Sequence, residues 1–233
     1  MAERIQTAGV IGAGVMGSAI AAHFAGAGIR THLLDIVPPN LKPEEASNPK
    51  ERNRFADGGL EKALKAKPAL FFTPDAARLI STGNLEDHLE RLKECDLIVE
   101  AVVEDLTIKR KLFEKIAPYV QKHAILASNT SGLSIASMSE VLPEELKSRF
   151  LVLHFFNPVR YMRLLELAKA PETEQAVMQR MTEFGEFLGK GVIDAKDTPN
   201  FVANRIGVYS MMLTMHQMLE AGLSLEAVDK ITG

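Results

Sequence analysis

The sequence predicts an α/β fold, a doubly wound and mostly parallel sheet followed by a truncated all-helical C-terminal part. Three observations predict it. Short apolar runs alternate with helical patterns along most of the chain, as in a parallel sheet covered by helices. A glycine-rich turn joins the first run to the first helical pattern. Beyond a DTPN junction lies a segment apolar around much of its circumference, 201–221, which contains MMLTMHQML.

The elements follow in order. Thr7–Ile11 reads as a strand, 15–27 as a helix and 31–35 as a second strand. A polar excursion over 36–95 then breaks the rhythm; its Pro-rich start reads as loop, and 59–67 and 75–79 as short helices. Strand 96–101 and helix 107–120 follow, then strand 124–128 and a helix over 134–142 that stops before Pro143. Strands at 150–156 and 163–168, a helix at 172–188 and a strand around 191–195 complete the sheet. This gives a first domain over 1–197, with a helical insertion at about 36–95, and the beginning of a helical domain over 198–233. So apolar a helix needs partners on several sides, and only the short amphipathic piece 225–231 follows it, hence the expectation of truncation.

Composition narrows the function classes. A chain of 233 residues with 46% hydrophobic and 24% charged residues has an ordinary globular core. The net charge of −3 argues against nucleic acid as main partner, because phosphate binding needs surplus Lys and Arg on one face. The single cysteine, Cys95, allows no internal disulfide and no cysteine-rich zinc cluster, and just before an apolar strand it reads as structural. No metal site is expected. No leader pattern and no apolar run of roughly 18 residues is visible, which predicts a cytoplasmic chain without a membrane span.

Gly12-Ala13-Gly14-Val15-Met16-Gly17 is a GxGxxG turn between strand and helix. The first glycine permits the tight turn and the second lets backbone approach a pyrophosphate. The third allows helix–strand packing, and the helix N-terminus presents free N–H groups to the anion. Asp35 ends the second strand, 23 residues after Gly12, where a carboxylate bonds both ribose hydroxyls of NAD and repels the 2′-phosphate of NADP. The fold is therefore Rossmann-type, with NAD as cofactor.

Three further clusters carry chemistry. Ser128-Asn129-Thr130-Ser131 follows an apolar strand directly, at the end where open α/β sheets bind ligands; it also reads as cap-and-turn chemistry for the next helix. His154 ends an apolar strand that Asn157-Pro158 then breaks. Such a histidine is suited to moving one proton, though strand-end histidines are often structural. Glu166 stands between leucines in a buried strand, where a carboxylate is costly unless paired. His154, twelve residues earlier, is its natural partner. The carboxylate would fix the imidazole tautomer and stabilise imidazolium.

GAGVMG, EAVVEDLTIK, SNTS, HFFNP, LLEL and FVANR occur in the order found in 3-hydroxyacyl-CoA dehydrogenases, and the chain resembles that family over nearly its whole length. The resemblance implies NAD-dependent oxidation of an L-3-hydroxyacyl-CoA to the 3-ketoacyl-CoA, as in fatty acid β-oxidation. His154 would be the general base and Glu166 its partner, with Ser131 and Asn204 contacting the reacting end of the substrate. It assigns the cofactor to Gly12, Gly14, Val15, Met16, Gly17, Asp35, Glu104, Lys109, Ser131 and Asn157. The C-terminal part would complete the acyl pocket and form a homodimer. The insertion is longer than in the short dehydrogenases; its Lys62 and Lys65, with Lys67, would serve the 3′-phosphate of CoA or form a solvated face, and the family's polar CoA contact is replaced by Ala63. Two other readings remain: a different NAD-dependent β-hydroxyacid dehydrogenase, which would use a lysine in place of the dyad, and a non-catalytic NAD-binding relative.

Overall fold

The computed structural model describes residues 4–232. Eight strands form one sheet: β1 (Thr7–Ile11), β2 (Arg30–Asp35), β3 (Ile80–Asn84), β4 (Leu97–Glu100), β5 (Ile125–Ser128), β6 (Phe150–Phe155), β7 (Leu164–Lys169) and β8 (Gly191–Ala195). Their spatial order is β3-β2-β1-β4-β5-β6-β7-β8, and every neighbouring pair is parallel except β6–β7. The order reverses between β1 and β4, and such a switch point opens a crevice at the carboxyl ends of the strands.

Successive strand residues face opposite sides, and the core divides accordingly. One layer packs Val10, Leu33, Val99, Ala127 and Leu153 under α1 (Val15–Gly26), α3 (Arg54–Lys65) and α7 (Gln175–Phe187). The other packs Ile11, Leu34, Ile98, Leu126 and Val152 under α4 (Leu106–Ile116), α5 (Ile135–Ser139) and α6 (Glu144–Lys147). Continuous apolar runs buried on both faces are what a parallel sheet requires.

The excursion over 36–95 is a correction to the sequence reading. It contains a strand, β3, paired in parallel with β2 from Thr31↔Ile80 to Asp35↔Asn84, so the βαβ rhythm is lengthened there and not broken. Ile-Ser-Thr-Gly-Asn has one apolar residue because the strand lies at the sheet edge. Helix formation also starts earlier, with α2 (Pro49–Arg52) and α3 replacing part of the expected loop; Asn48 caps α2 by accepting from Lys50 N. The expected helix at 75–79 is a 3-10 turn, Pro74–Leu79. The helix expected over 134–142 is only α5; Pro143 is followed by the separate α6. The helix expected over 107–120 ends at Ile116 and continues as a 3-10 turn, Ala117–Tyr119.

β7 runs antiparallel because the link from β6 is too short for a crossover helix, which needs about a dozen residues or more. Lys190 is buried beneath that link and donates to the carbonyls of Val159 and Met162. After β8 the chain enters α8 (Ala203–Glu220) and α9 (Leu225–Thr232). Phe201 seats the entry to α8 in the second core layer, while the apolar side chains further along α8, among them Tyr209, Met212 and Leu219, are exposed. No helix among the described residues is long and apolar enough to cross a membrane.

Candidate active site

The glycine turn is built as its spacing requires. Gly12 has φ +101, and a Cβ there would lie 2.6 Å from the Ala101 carbonyl oxygen. A Cβ on Gly17 would lie 1.7 Å from the Gly12 oxygen, so that close approach of α1 to the turn admits only glycine. A Cβ on Gly14 would meet nothing within 4 Å: its backbone faces open space, which is the room an approaching pyrophosphate needs. The first turn of α1 has no acidic side chain to oppose an anion. Asp35 accepts from Ala13 N at 2.6 Å through one oxygen and from Ile36 N through the other, which points the carboxylate along the turn. Gly12, Gly14 and Asp35 line a cavity of about 370 Å³ together with Val102 and Ile108. These residues fit a dinucleotide.

A second cavity, of about 470 Å³, shares Ala101, Val102 and Val103 with the first, so the two form one cleft along the strand ends. Val15, Met16, Glu104, Asn129, Ser131, His154 and Asn157 line it. Three neighbouring strands carry polar side chains on one face, Glu100 from β4, Ser128 from β5 and His154 from β6, and of these His154 reaches the cavity while Glu100 and Ser128 are buried behind it. Glu100, buried completely, accepts from Lys109 Nζ at 2.6 Å, from Ser128 Oγ at 2.5 Å and from Val102 N at 2.7 Å. Lys109 also lies 3.3 Å from Glu104. Glu104 in turn accepts from the Thr130 hydroxyl and from Ser131 N at 2.9 Å. Burial alone would raise the Glu104 carboxyl, but the Thr130 hydroxyl, the Lys109 charge and the Ser131 amide together hold it below the ordinary value.

His154 and Glu166 are opposed in the β6–β7 ladder, with 2.7 Å between Nδ1 and Oε2. Glu166 is fully buried and His154 is 5% exposed. The carboxylate is an acceptor, so Nδ1 carries the hydrogen, and in the neutral imidazole Nε2 keeps the lone pair. Phe156 and Phe201 flank the imidazole at 4.4 and 5.8 Å between ring centroids. Asn129 Oδ1 accepts from Phe155 N, which ties the loop after β5 to the end of β6.

The expected residues are distributed unevenly. Gly12, Gly14, Asp35, Val15, Met16, Glu104, Ser131, His154 and Asn157 line the cleft. Gly17 and Glu166 sit behind it. Lys109 is 1% exposed and turned into the Glu100–Glu104 pair. Asn204 is half-buried in the first turn of α8. Lys62 and Lys65 are exposed on α3, where Lys65 pairs with Glu61, and Ala63 is buried in the core. Sequence reasoning missed Glu100, although an acidic residue ending the apolar run LIVE was a readable signal. It also missed Asp197, whose carboxylate accepts from Ile135 N and Ala136 N and so caps α5 from the DTPN segment.

Residues 7–198 match the family model described as 3-hydroxyacyl-CoA dehydrogenase, NAD binding domain. The chain belongs to that family. NAD is its cofactor. Among its relatives, a probable 3-hydroxyacyl-CoA dehydrogenase of Deinococcus radiodurans is 48% identical over 99% of this chain, and one of Bacillus subtilis is 46% identical over 100% of it. The chain spans 64% and 30% of those relatives' lengths. A solved structure, (S)-3-hydroxybutyryl-CoA dehydrogenase from Ralstonia eutropha, superposes with a TM-score of 0.75 at 29% identity, covering 96% of this chain and 75% of that one.

Proposed function

We propose that the chain carries the cofactor-binding and proton-transfer machinery of an NAD-dependent L-3-hydroxyacyl-CoA dehydrogenase. The observation that carries the reading is the His154–Glu166 pair, 2.7 Å apart, at the wall of a cleft continuous with the glycine turn. His154 Nε2 takes the proton of the 3-hydroxyl as the C3–O bond becomes a carbonyl. Glu166 holds the tautomer and stabilises the imidazolium that forms. Ser131 and Asn204 hold the substrate oxygen, and in the reverse direction His154 returns the proton. Bound NAD supplies the hydride acceptor. Gly14 and the N-terminus of α1 take the pyrophosphate, Asp35 the ribose, and Glu104, held by Thr130 and Ser131, the nicotinamide side. Cytoplasmic location and homodimerisation through the helical C-terminal part belong to the same reading.

The test is loss of NADH fluorescence on adding acetoacetyl-CoA. Turnover that depends on the thioester supports the reading, and His154→Ala lowers it by about 10² or more. An undiminished rate in that variant would remove the dyad from the mechanism.

A further inference from the structure

The two carboxylate oxygens of Glu166 are engaged by different parts of the chain. Oε2 meets His154, while Oε1 accepts from Val202 N at 3.1 Å and Ala203 N at 2.7 Å. Those amides belong to the N-cap and first residue of α8, a helix with no side-chain cap of its own. A carboxylate from the central sheet therefore satisfies donors that the start of a helix leaves open. The approach to α8 is constrained as well. Asn200 and Phe201 have φ of +64 and +45, a region that a bulky side chain occupies only when its surroundings over-determine it. Here the surroundings are the buried Phe201 ring packed near His154, the two amide bonds to Glu166, and Asp197 fastened to α5 at the other end of the segment.

We propose that the N-terminus of α8 is a positioning element of the proton-transfer pair: the amides of Val202 and Ala203 hold the Glu166 carboxylate in the orientation that keeps His154 Nδ1 occupied. The inference rests on the role proposed above for His154. It makes the location of α8 decide whether His154 presents a free Nε2. If α8 shifts, Glu166 loses two donors on one side and can turn away from the imidazole. Asn204, the next residue along, moves with the same turn of helix. The readiness of the base and the placement of the substrate-side amide are then set together.

The test needs no turnover. Ala203→Pro removes the shorter of the two N–H bonds at the first helical position, where φ suits the ring although Val202 before it lies in the αR region that a following proline disfavours, and Ala203→Ser keeps it. In histidine-labelled protein the Nδ1–H of His154, assigned by its absence in His154→Gln, gives a slowly exchanging resonance in the unsubstituted chain and in Ala203→Ser. In Ala203→Pro its exchange accelerates about tenfold or more, the loss of a hydrogen bond to a charged group, while NADH affinity is kept. Unchanged exchange in a folded Ala203→Pro would overturn the inference. Absence of the resonance in the unsubstituted chain would instead overturn the dyad itself. Should Ala203→Pro fail to fold, amide exchange in Glu166→Ala decides: protection of Val202 and Ala203 falls about tenfold, and unchanged protection sinks the proposal.

Discussion

Glu166 faces hydrogen-bond donors on both sides, and His154 is one of them, directly opposite in the β6–β7 ladder with 2.7 Å between Nδ1 and Oε2. An amide in its place keeps one acceptor oxygen and gains a donor. The backbone N–H groups of Val202 and Ala203 would take the oxygen, and the NH₂ would face His154. The imidazole must then accept at Nδ1 and carry its hydrogen on Nε2, which is the wrong tautomer for a base. Glu166→Gln should therefore stay within about 1 kcal/mol of the parent in urea unfolding and bind NADH normally. Its turnover should fall by about 10³–10⁴. Retained turnover would show that the tautomer does not matter.

Gly14 and Gly17 give opposite expectations although both belong to one motif. Gly17→Ala puts a methyl group 1.7 Å from the Gly12 oxygen, so the turn and α1 must separate and both stability and NADH binding are lost. Gly14→Ala meets nothing in the free protein and should leave the thermal midpoint unchanged. It should nevertheless weaken NADH roughly tenfold or more, or about 1.4 kcal/mol, because the methyl enters the space for the pyrophosphate. Fluorescence titration of both variants separates the two effects, and full NADH affinity in Gly14→Ala would displace the pyrophosphate from this turn.

Lys109 and Glu100 form a buried pair, 1% and 0% exposed in their side chains. Lys109→Met leaves the Glu100 carboxylate with Ser128 Oγ and Val102 N but no counter-charge, and should cost about 3–5 kcal/mol in urea unfolding. Adding Glu100→Gln removes the stranded charge and should restore most of the loss. A double variant no better than the single one would mean that the pair's charge is not the source of the effect.

His23, in α1, meets the C-terminal end of α7, donating through Nε2 to the Leu188 carbonyl and set edge-on against Phe155. Burial, with Lys190's charge nearby, pushes its imidazole down to about 4. The unfolded histidine titrates near about 6.5, so between these values the unfolded chain binds the extra proton. Stability from this site is complete above about pH 6.5 and drains away as the pH falls towards 4, a difference of about 3 kcal/mol. His23→Gln, which retains a donor, should flatten the thermal midpoint over that window. An unaltered slope would place the acid sensitivity elsewhere, at His32 or His88, whose imidazoles burial also lowers.

The sequence by itself determined the α/β class, seven of the strands, the glycine turn with Asp35 after it, and the pairing of His154 with Glu166. These were legible because each is written locally: apolar period, glycine spacing, or a polar residue out of place in an apolar run. Only the tertiary structure decided that Ile80–Asn84 is a strand, since an edge position demands too little apolar surface to leave a pattern. The same holds for the ring of Ser128, Glu100, Lys109 and Glu104, and for the second oxygen of Glu166, whose partners lie 36 and 37 residues further along the chain. A hydrogen bond between distant backbone and side-chain atoms leaves no spacing rule in the sequence. It exists only once β7, the left-handed turn at Asn200 and Phe201, and α8 have been brought together by packing.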